Sequence, residues 1–293
     1  MVHQVVAVAT PRYRRSFTQR GALMGAHPDG TGRTAVVAGA GGGLGAALAD
    51  RLAARGCTVI CADIVGTETA LDVTDADACR KLAADTQPDI WINNAGILGA
   101  GDAATQPDDE IERVIRVNLL GVINGTRAAV EVMRANGGHG QILNVGSLAS
   151  WTAVPGEAVY AATKAAVLSF TVGIATELRG SNITFSVLCP DGIWSPMLHD
   201  RLNDPTAAMS FTGTRLLSAE EVAEAGMKLL DSGRIVASVP PNRGAQARVF
   251  GTFPTLALKG AGLFEKLGRR NQKKFREHLT HPELTQASRE PVR

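Results

Sequence analysis

Cysteine is scarce and scattered. Cys57, Cys61, Cys79 and Cys189 are the only four in 293 residues. They have neither the paired spacing of a metal site nor the density of a disulfide framework. A cross-linked secreted scaffold is therefore excluded, no metal is expected, and a reducing cytoplasm is the expected compartment. An excess of one charge is also missing. Thirty Lys and Arg against 28 Asp and Glu leave a formal net charge of +2, which gives no reason to expect nucleic acid as a partner. Outside the stretch around Pro155 and Lys164 there is no run of about eighteen uncharged apolar residues, so no membrane-spanning helix is expected. The length suits one α/β domain with extensions, since such a domain can exceed about 200 residues.

The segment from Thr34 to Asp63, TAVVAGAGGGLGAALADRLAARGCTVICAD, reads as a short apolar strand, a glycine-rich turn, an amphipathic helix and a second apolar strand. Gly39, Gly43 and Gly45 stand at the spacing G-x-x-x-G-x-G, with Leu44 between the last two. A tight turn that lets the backbone approach a pyrophosphate requires glycine, and the free N–H groups of the following helix face that anion. Asp63 closes the second strand, eighteen residues after Gly45, where it can accept hydrogen bonds from an adenosine ribose. A carboxylate there repels a 2′-phosphate, and the loop carries no Arg or Lys to pair with one. Both features favour NAD over NADP.

Tyr160 and Lys164 lie four residues apart in VYAATKAAVLSF, with Ser147 thirteen residues before the tyrosine. Helical positions i and i+4 share a face, so phenol and ammonium project together. A cation beside a phenol lowers its pKa from about 10 towards working pH, where it can act as general base or acid. The bland alternative is a helix face with one buried ring. The dinucleotide loop upstream gives the tyrosine a task.

Further motifs complete a resemblance to the short-chain dehydrogenase/reductases that runs from about Thr34 to about Pro240. Asp72 and Val73 match the adenine-contacting Asp-Val of that family. Asn93, Asn94, Ala95 and Gly96 match the turn that shapes the cofactor floor. Asn118 matches the helix asparagine that helps hold a water in the proton relay. The segment from Cys189 to Met197, with Pro190, Ile193 and Ser195, matches the nicotinamide-contacting stretch. The resemblance implies a catalytic set of Asn118, Ser147, Tyr160 and Lys164. Tyr160 would exchange the substrate proton, Ser147 would orient the substrate oxygen, and Lys164 would tune Tyr160 and bind the nicotinamide ribose. It also implies hydride transfer between NAD and a secondary alcohol or ketone. An NADPH-dependent ketoreductase and a non-catalytic dinucleotide sensor are the alternatives.

There are departures. Ala38 replaces a usual Thr, Gly146 a common Ser, and Asp191 the glycine of the usual Pro-Gly. That last charge makes Ile193 and Ser195 less certain as contacts. Only IVGTETAL separates Asp63 from Asp72, whereas a parallel crossover usually takes a dozen or more residues. The helix on that side should be missing and the adenine site open.

The expected architecture is a single doubly wound, Rossmann-type α/β domain over 34–240, with helices on both faces of a seven-stranded parallel sheet. Strands are expected at 34–38, 57–62, 68–72, 89–93, 140–146, 183–189 and 235–239. Helices are expected near 44–55, 75–85, 108–136 (bent around Asn118), 157–179 and 218–231, the last with a Ser218–Glu221 capping box. The resemblance makes residues 197–217 the substrate lid, where Met197, Leu198, Met209 and Phe211 either line an apolar pocket or merely anchor the loop, while Trp151 and Trp194 beside the expected substrate suggest that it is hydrophobic. Helices 108–136 and 157–179 are apolar on more than one face; relatives bury them against a second subunit, so a homodimer or homotetramer is expected. Residues 1–33 read as a basic, disordered extension, or as sequence upstream of a natural start at Met24. Residues 241–293 read as a basic amphipathic extension that either makes weak contact with a membrane surface or packs on its own subunit or a partner.

Overall fold

The computed structural model describes residues 32–280, so the N-terminal extension lies almost wholly outside the described residues. Seven parallel strands form one sheet in the order β3-β2-β1-β4-β5-β6-β7. They are β1 Thr34–Ala38, β2 Thr58–Asp63, β3 Thr69–Ala70, β4 Ile90–Asn93, β5 His139–Val145, β6 Asn182–Pro190 and β7 Val236–Val239. Neighbouring β1 residues Val36 and Val37 are both fully buried, as in a strand covered on both faces. The helices are α1 Gly43–Ala53, α2 Ala76–Thr86, α3 Asp108–Ile115, α4 Gly121–Ala135, α5 Ala158–Glu177, α6 Pro196–His199, α7 Ala219–Ser232, α8 Pro241–Thr252 and α9 Pro254–Thr280. Leu48 and Leu52 of α1 and Val222 and Met227 of α7 fill one apolar layer. Cys79 and Ala83 of α2 and Ala128 and Met133 of α4 fill the other. Strand order reverses between β1 and β4, and a ligand crevice belongs at that switch point.

The shortened crossover is real. Asp63 leads to Thr69 with no intervening helix, and β3 keeps only two residues of the five expected. Ile64 and Val65 are left 69% and 71% exposed on the open side. The bend expected at Asn118 is a π-helical turn, Arg116–Leu120, between α3 and α4; such turns recur at functional sites. Ser218 caps α7 by accepting from the Glu221 amide at 3.1 Å. The Glu221 carboxylate also accepts from Arg215 at 2.7 Å.

Among the described residues α5, in the stretch around Lys164 that the sequence reading sets apart, is long and apolar enough to cross a membrane by length and mean hydropathy (1.5) alone. It is the helix that carries Tyr160 and Lys164, and Thr163, Lys164, Val167 and Thr171 are buried. Ala162 and Ala165, at the cavity, and Ser169, Val172 and Thr176 are exposed.

The tail is a packed part of the domain. Pro254 separates α8 from α9, whereas Gly260 does not interrupt α9. Asn271 Nδ2 donates to the Phe211 and Gly213 carbonyls at 2.8 and 3.2 Å. Gln272 Nε2 donates to those of Asp204 and Arg201 at 2.8 and 3.2 Å. Both amides thereby hold α9 to the lid, and Phe275 stacks at 6.1 Å on Phe211. Of the readings of the tail, packing on its own subunit is the one observed for this half of α9.

Candidate active site

The cradle at the switch point is built by backbone crowding. Gly39 has φ 91°, and a Cβ there would lie 2.3 Å from the Ala95 amide nitrogen; one on Gly45 would lie 2.0 Å from the Gly39 carbonyl oxygen. The Asn94 amide locks the turn by donating to the Gly39 carbonyl at 2.6 Å. At Gly42 a Cβ would meet nothing, so that stretch of backbone faces open space. No side chain caps α1 and its first turn holds no acidic residue, leaving N–H groups free for an anion. Asp63 accepts from the Gly41 and Ile64 amides at 2.8 and 2.7 Å, which fixes its carboxylate beside the loop. Asp72 accepts from the Thr74 amide at 2.8 Å, and Asn124 holds the Val73 carbonyl at 3.0 Å.

One cavity of about 1620 Å³ runs from this cradle to the lid. Gly39, Gly43, Leu44, Asp63, Asp72, Val73, Asn94, Ala95, Gly96, Ser147, Tyr160, Lys164, Pro190, Ile193 and Ser195 all border it. The volume exceeds the roughly 300–1,000 Å³ of an ordinary ligand pocket, as a site for both a dinucleotide and a substrate must. Gly45 and Asn118 stand behind the wall, the latter fully buried. Asn118 Oδ1 accepts from the Ile97 amide at 2.8 Å, while its Nδ2 donates to the Ile97 carbonyl at 2.9 Å and to Thr163 at 3.3 Å. The side chain thus splices the π-turn to the segment after β4. Asn93, read as part of the cofactor floor, points into the core instead.

Lys164 Nζ donates to the Val145 carbonyl at 2.9 Å and lies 5.7 Å from the centre of the Tyr160 ring. Burial lowers the Lys164 pKa to about 8, with the Cys189 thiol opposing, so the ammonium form still prevails at neutral pH. The expected lowering of the Tyr160 pKa is not observed. Burial pushes it up, the neighbouring Glu157 carboxyl adds to the rise, and the Ser147 hydroxyl opposes both. The lysine is engaged by a carbonyl, and desolvation of the phenol outweighs its field.

Several functional-site residues escaped the sequence reading. Asp191 is paired: Arg243 Nε donates to its carboxylate at 2.8 Å, while the other guanidinium nitrogens reach Gln246 at 2.7 Å and Thr212 at 2.9 Å. The charge of Asp191 is therefore part of a clamp between α8 and the lid, legible only with Arg243 in view. Phe250, Ala257, Leu258, Ala261 and Phe264 of the tail line the cavity. A Cβ on Gly251 would lie 1.8 Å from the Trp151 carbonyl oxygen, and the Arg248 guanidinium stacks 4.3 Å from the Trp151 ring centre. Trp151, Met197, Leu198 and Met209 border the cavity as expected. Phe211 is fully buried within the lid, and Trp194 stacks on His199 and Phe275. Glu157, also on the cavity wall, is 2% exposed.

Cradle, crevice and convergent side chains define a dinucleotide-binding α/β protein with a tyrosine–lysine pair on the floor of its cavity. The chain belongs to the short-chain dehydrogenase/reductase family: residues 33–206 match the model for short chain dehydrogenases. It is 35% identical over 199 residues to 2-(R)-hydroxypropyl-CoM dehydrogenase of Xanthobacter autotrophicus, spanning 59% of this chain and 79% of that protein. It is 31% identical over 245 residues to 1-deoxy-11-beta-hydroxypentalenate dehydrogenase of Streptomyces avermitilis, spanning 75% and 88%. Among solved structures, a short chain dehydrogenase/reductase from Burkholderia phymatum in complex with NAD superposes with TM-score 0.70 at 23% identity, over 78% of this chain and 96% of that one. A putative 2-deoxy-d-gluconate 3-dehydrogenase from Agrobacterium tumefaciens with bound NADP superposes with TM-score 0.65 at 27% identity, over 73% and 97%.

Burial lifts Glu157 to about 7 from 4.5; the Ser210 hydroxyl pulls back, Asp204 adds to the rise and Arg201 opposes it. Between those two values the folded carboxyl keeps a proton that the unfolded one has lost, so stability falls as pH rises through this window and levels off above it. Glu157→Gln removes the loss. Its stability relative to the parent should improve with rising pH by up to about 3 kcal/mol, read by urea unfolding on either side of the window. A pH-independent difference would refute the assignment.

Proposed function

We propose that the protein is an NAD-dependent oxidoreductase interconverting secondary alcohols and ketones, with Tyr160 as general base or acid. The observation that carries this reading is that Ser147, Tyr160 and Lys164 meet in the same cavity as a glycine cradle and Asp63. Gly39, Gly43 and the N-terminus of α1 would hold the pyrophosphate, Asp63 the adenosine ribose and Lys164 the second ribose. When bound, a nicotinamide dinucleotide supplies the hydride-exchanging ring and, when oxidised, a positive charge on the cavity floor. Ser147 orients the substrate oxygen towards Tyr160, whose phenolate takes the carbinol proton, or whose phenol gives one to a ketone. Lys164 favours the phenolate through its field, an effect that strengthens as the cavity loses water. Asn118 keeps the π-turn and the cofactor floor in register.

The tail residues Phe250, Ala257, Ala261 and Phe264, facing Trp151 and Met209, favour a substrate with an apolar skeleton. The high mean hydropathy of α5 favours burial of its exposed side against a second copy, giving a homodimer or homotetramer. Four cysteines that form no disulfide, three of them buried, fit a reducing cytoplasm, where cell fractionation should find the protein.

Purified protein given NAD and a panel of secondary alcohols should form reduced cofactor. Tyr160→Phe should cut kcat at least about a hundredfold, the scale of general acid–base catalysis, while still binding NADH. Undiminished turnover in that variant would sink the reading. Asp63→Ala should weaken NAD binding about tenfold, the loss of one ordinary to charge-assisted hydrogen-bond contribution, and admit NADP. Equal use of both cofactors by the parent protein would contradict the role given to that carboxylate. Light scattering should return at least twice the 30.6 kDa chain mass; a monomer would remove the case for a covered α5.

A further inference from the structure

Glu157 is unusual in what it does not do. It occupies the N-cap position of α5, one turn before Tyr160, yet its carboxyl makes no capping hydrogen bond. An N-cap carboxylate would ordinarily accept from the free amides of the first turn. This one turns away from the helix. It is 2% exposed and borders the cavity. Ser210 of the lid hydrogen-bonds it, with Oγ at 2.7 Å and through its backbone amide. No cation pairs with it among the described residues. Arg201, whose charge is felt at the carboxyl, is held by Asp204 at 3.0 Å and by the Leu98 carbonyl at 3.1 Å. Tyr160, one turn on, packs against an apolar cluster that includes Leu198, Ala207 and Phe211.

A buried carboxyl without a cation partner costs stability, because the Ser210 contacts offset only part of the water that its acceptor sites have lost. Folding does not need it there: a Ser or Asp would cap α5, and a Leu would fill the space. What its position offers is an acceptor on the wall of the reaction chamber, one helical turn (about 5.4 Å) from the catalytic tyrosine.

We propose that Glu157 is a specificity residue that accepts a hydrogen bond from a second polar group on the substrate, a hydroxyl or an ammonium a few bonds from the reacting carbinol. The inference rests on the dehydrogenase reading above and names its substrate class: an apolar secondary alcohol or ketone bearing one nearby donor. Ser210 holds the carboxyl in place from the lid side, so its loss should loosen the carboxyl without removing the acceptor.

The test uses the full chain with octan-2-ol, octane-2,4-diol and 4-aminooctan-2-ol, assayed with NAD and, separately, by equilibrium binding in the presence of NADH. The parent protein should favour one or both donor-bearing compounds over octan-2-ol by at least tenfold, in KM and in Kd alike. Glu157→Leu should bring that ratio close to one. Glu157→Gln should keep the preference for the diol and lose any preference for the amine, which separates hydroxyl from ammonium recognition. Ser210→Ala should retain the ratio. Equal treatment of all three compounds by the parent protein overturns the proposal. So does a Glu157→Leu variant that loses affinity for all three in parallel, which marks a purely structural carboxyl. If no compound is oxidised, the dehydrogenase reading fails, and the binding ratios still decide the role of Glu157.

Discussion

The site depends on a chain of buried polar side chains that contains no catalytic group. Trp91 Nε1 donates to Asn93 Oδ1 at 2.7 Å, and Asn93 Nδ2 donates to Asn144 Oδ1 at 2.8 Å and to Thr126 at 3.0 Å. Asn144 Nδ2 in turn donates to Thr171 at 2.9 Å. Asn93 and Asn144 are direct cross-strand neighbours on β4 and β5, while Thr126 and Thr171 sit on α4 and α5. Hydrophobic packing would let these helices slide by fractions of a turn at small cost. A buried amide that loses its partner costs about 1–3 kcal/mol, so the network admits one register only. Asn118, one turn before α4, and Tyr160 and Lys164, on the first turns of α5, inherit that register.

The same logic of unique pairing extends outward to the elements that close the cavity. The segment that follows β6 leads into the lid, and α8 and α9 come after it. Asp191 and Arg243 join that segment to α8, and Thr212 brings in the lid. With side-chain exposures of 13% and 22%, breaking the pair would leave an incompletely solvated charge, whereas keeping it gains little stability over an apolar pair. Its contribution is geometric. The asparagine and glutamine of α9 act alike, each spanning two lid carbonyls. The lid is thus held by the tail, and the part of the protein furthest from the family motifs shapes the chamber those motifs serve.

That division explains what could be read in advance. Strands and the glycine turn follow from apolar runs and from positions where only glycine fits, and these are local properties. The missing crossover helix was legible because eight residues cannot hold one. Asn93 was misplaced because neighbouring asparagines at a strand end alternate sides, Asn94 towards the cradle and Asn93 into the core, and the motif does not say which. Phe211 anchors the lid, one of the two readings open to it, and Trp194 stands off the cavity; the partner of both, Phe275, lies more than sixty residues away. Asp191 looked like an intrusion for the same reason: Arg243 is fifty-two positions on. Long-range pairing, not composition, decided each case.

The direction of the Tyr160 shift bears on why the chamber is built so. A phenol among apolar walls resists ionisation, and a neighbouring carboxyl makes that resistance greater as it loses its own proton. Lys164 is present to oppose both, yet is turned to Val145. A group placed between lysine and tyrosine, bearing positive charge and ribose hydroxyls, would change the balance at a stroke, because the low dielectric that now penalises the phenolate would amplify every favourable charge. An ammonium donor at Glu157 would act in the same sense, by offsetting the carboxylate charge felt by the tyrosine, whereas a hydroxyl donor would hold the carboxyl ionised and act against it. On this proposal the carboxyl that costs the fold stability would couple recognition of a cationic substrate to ionisation of Tyr160.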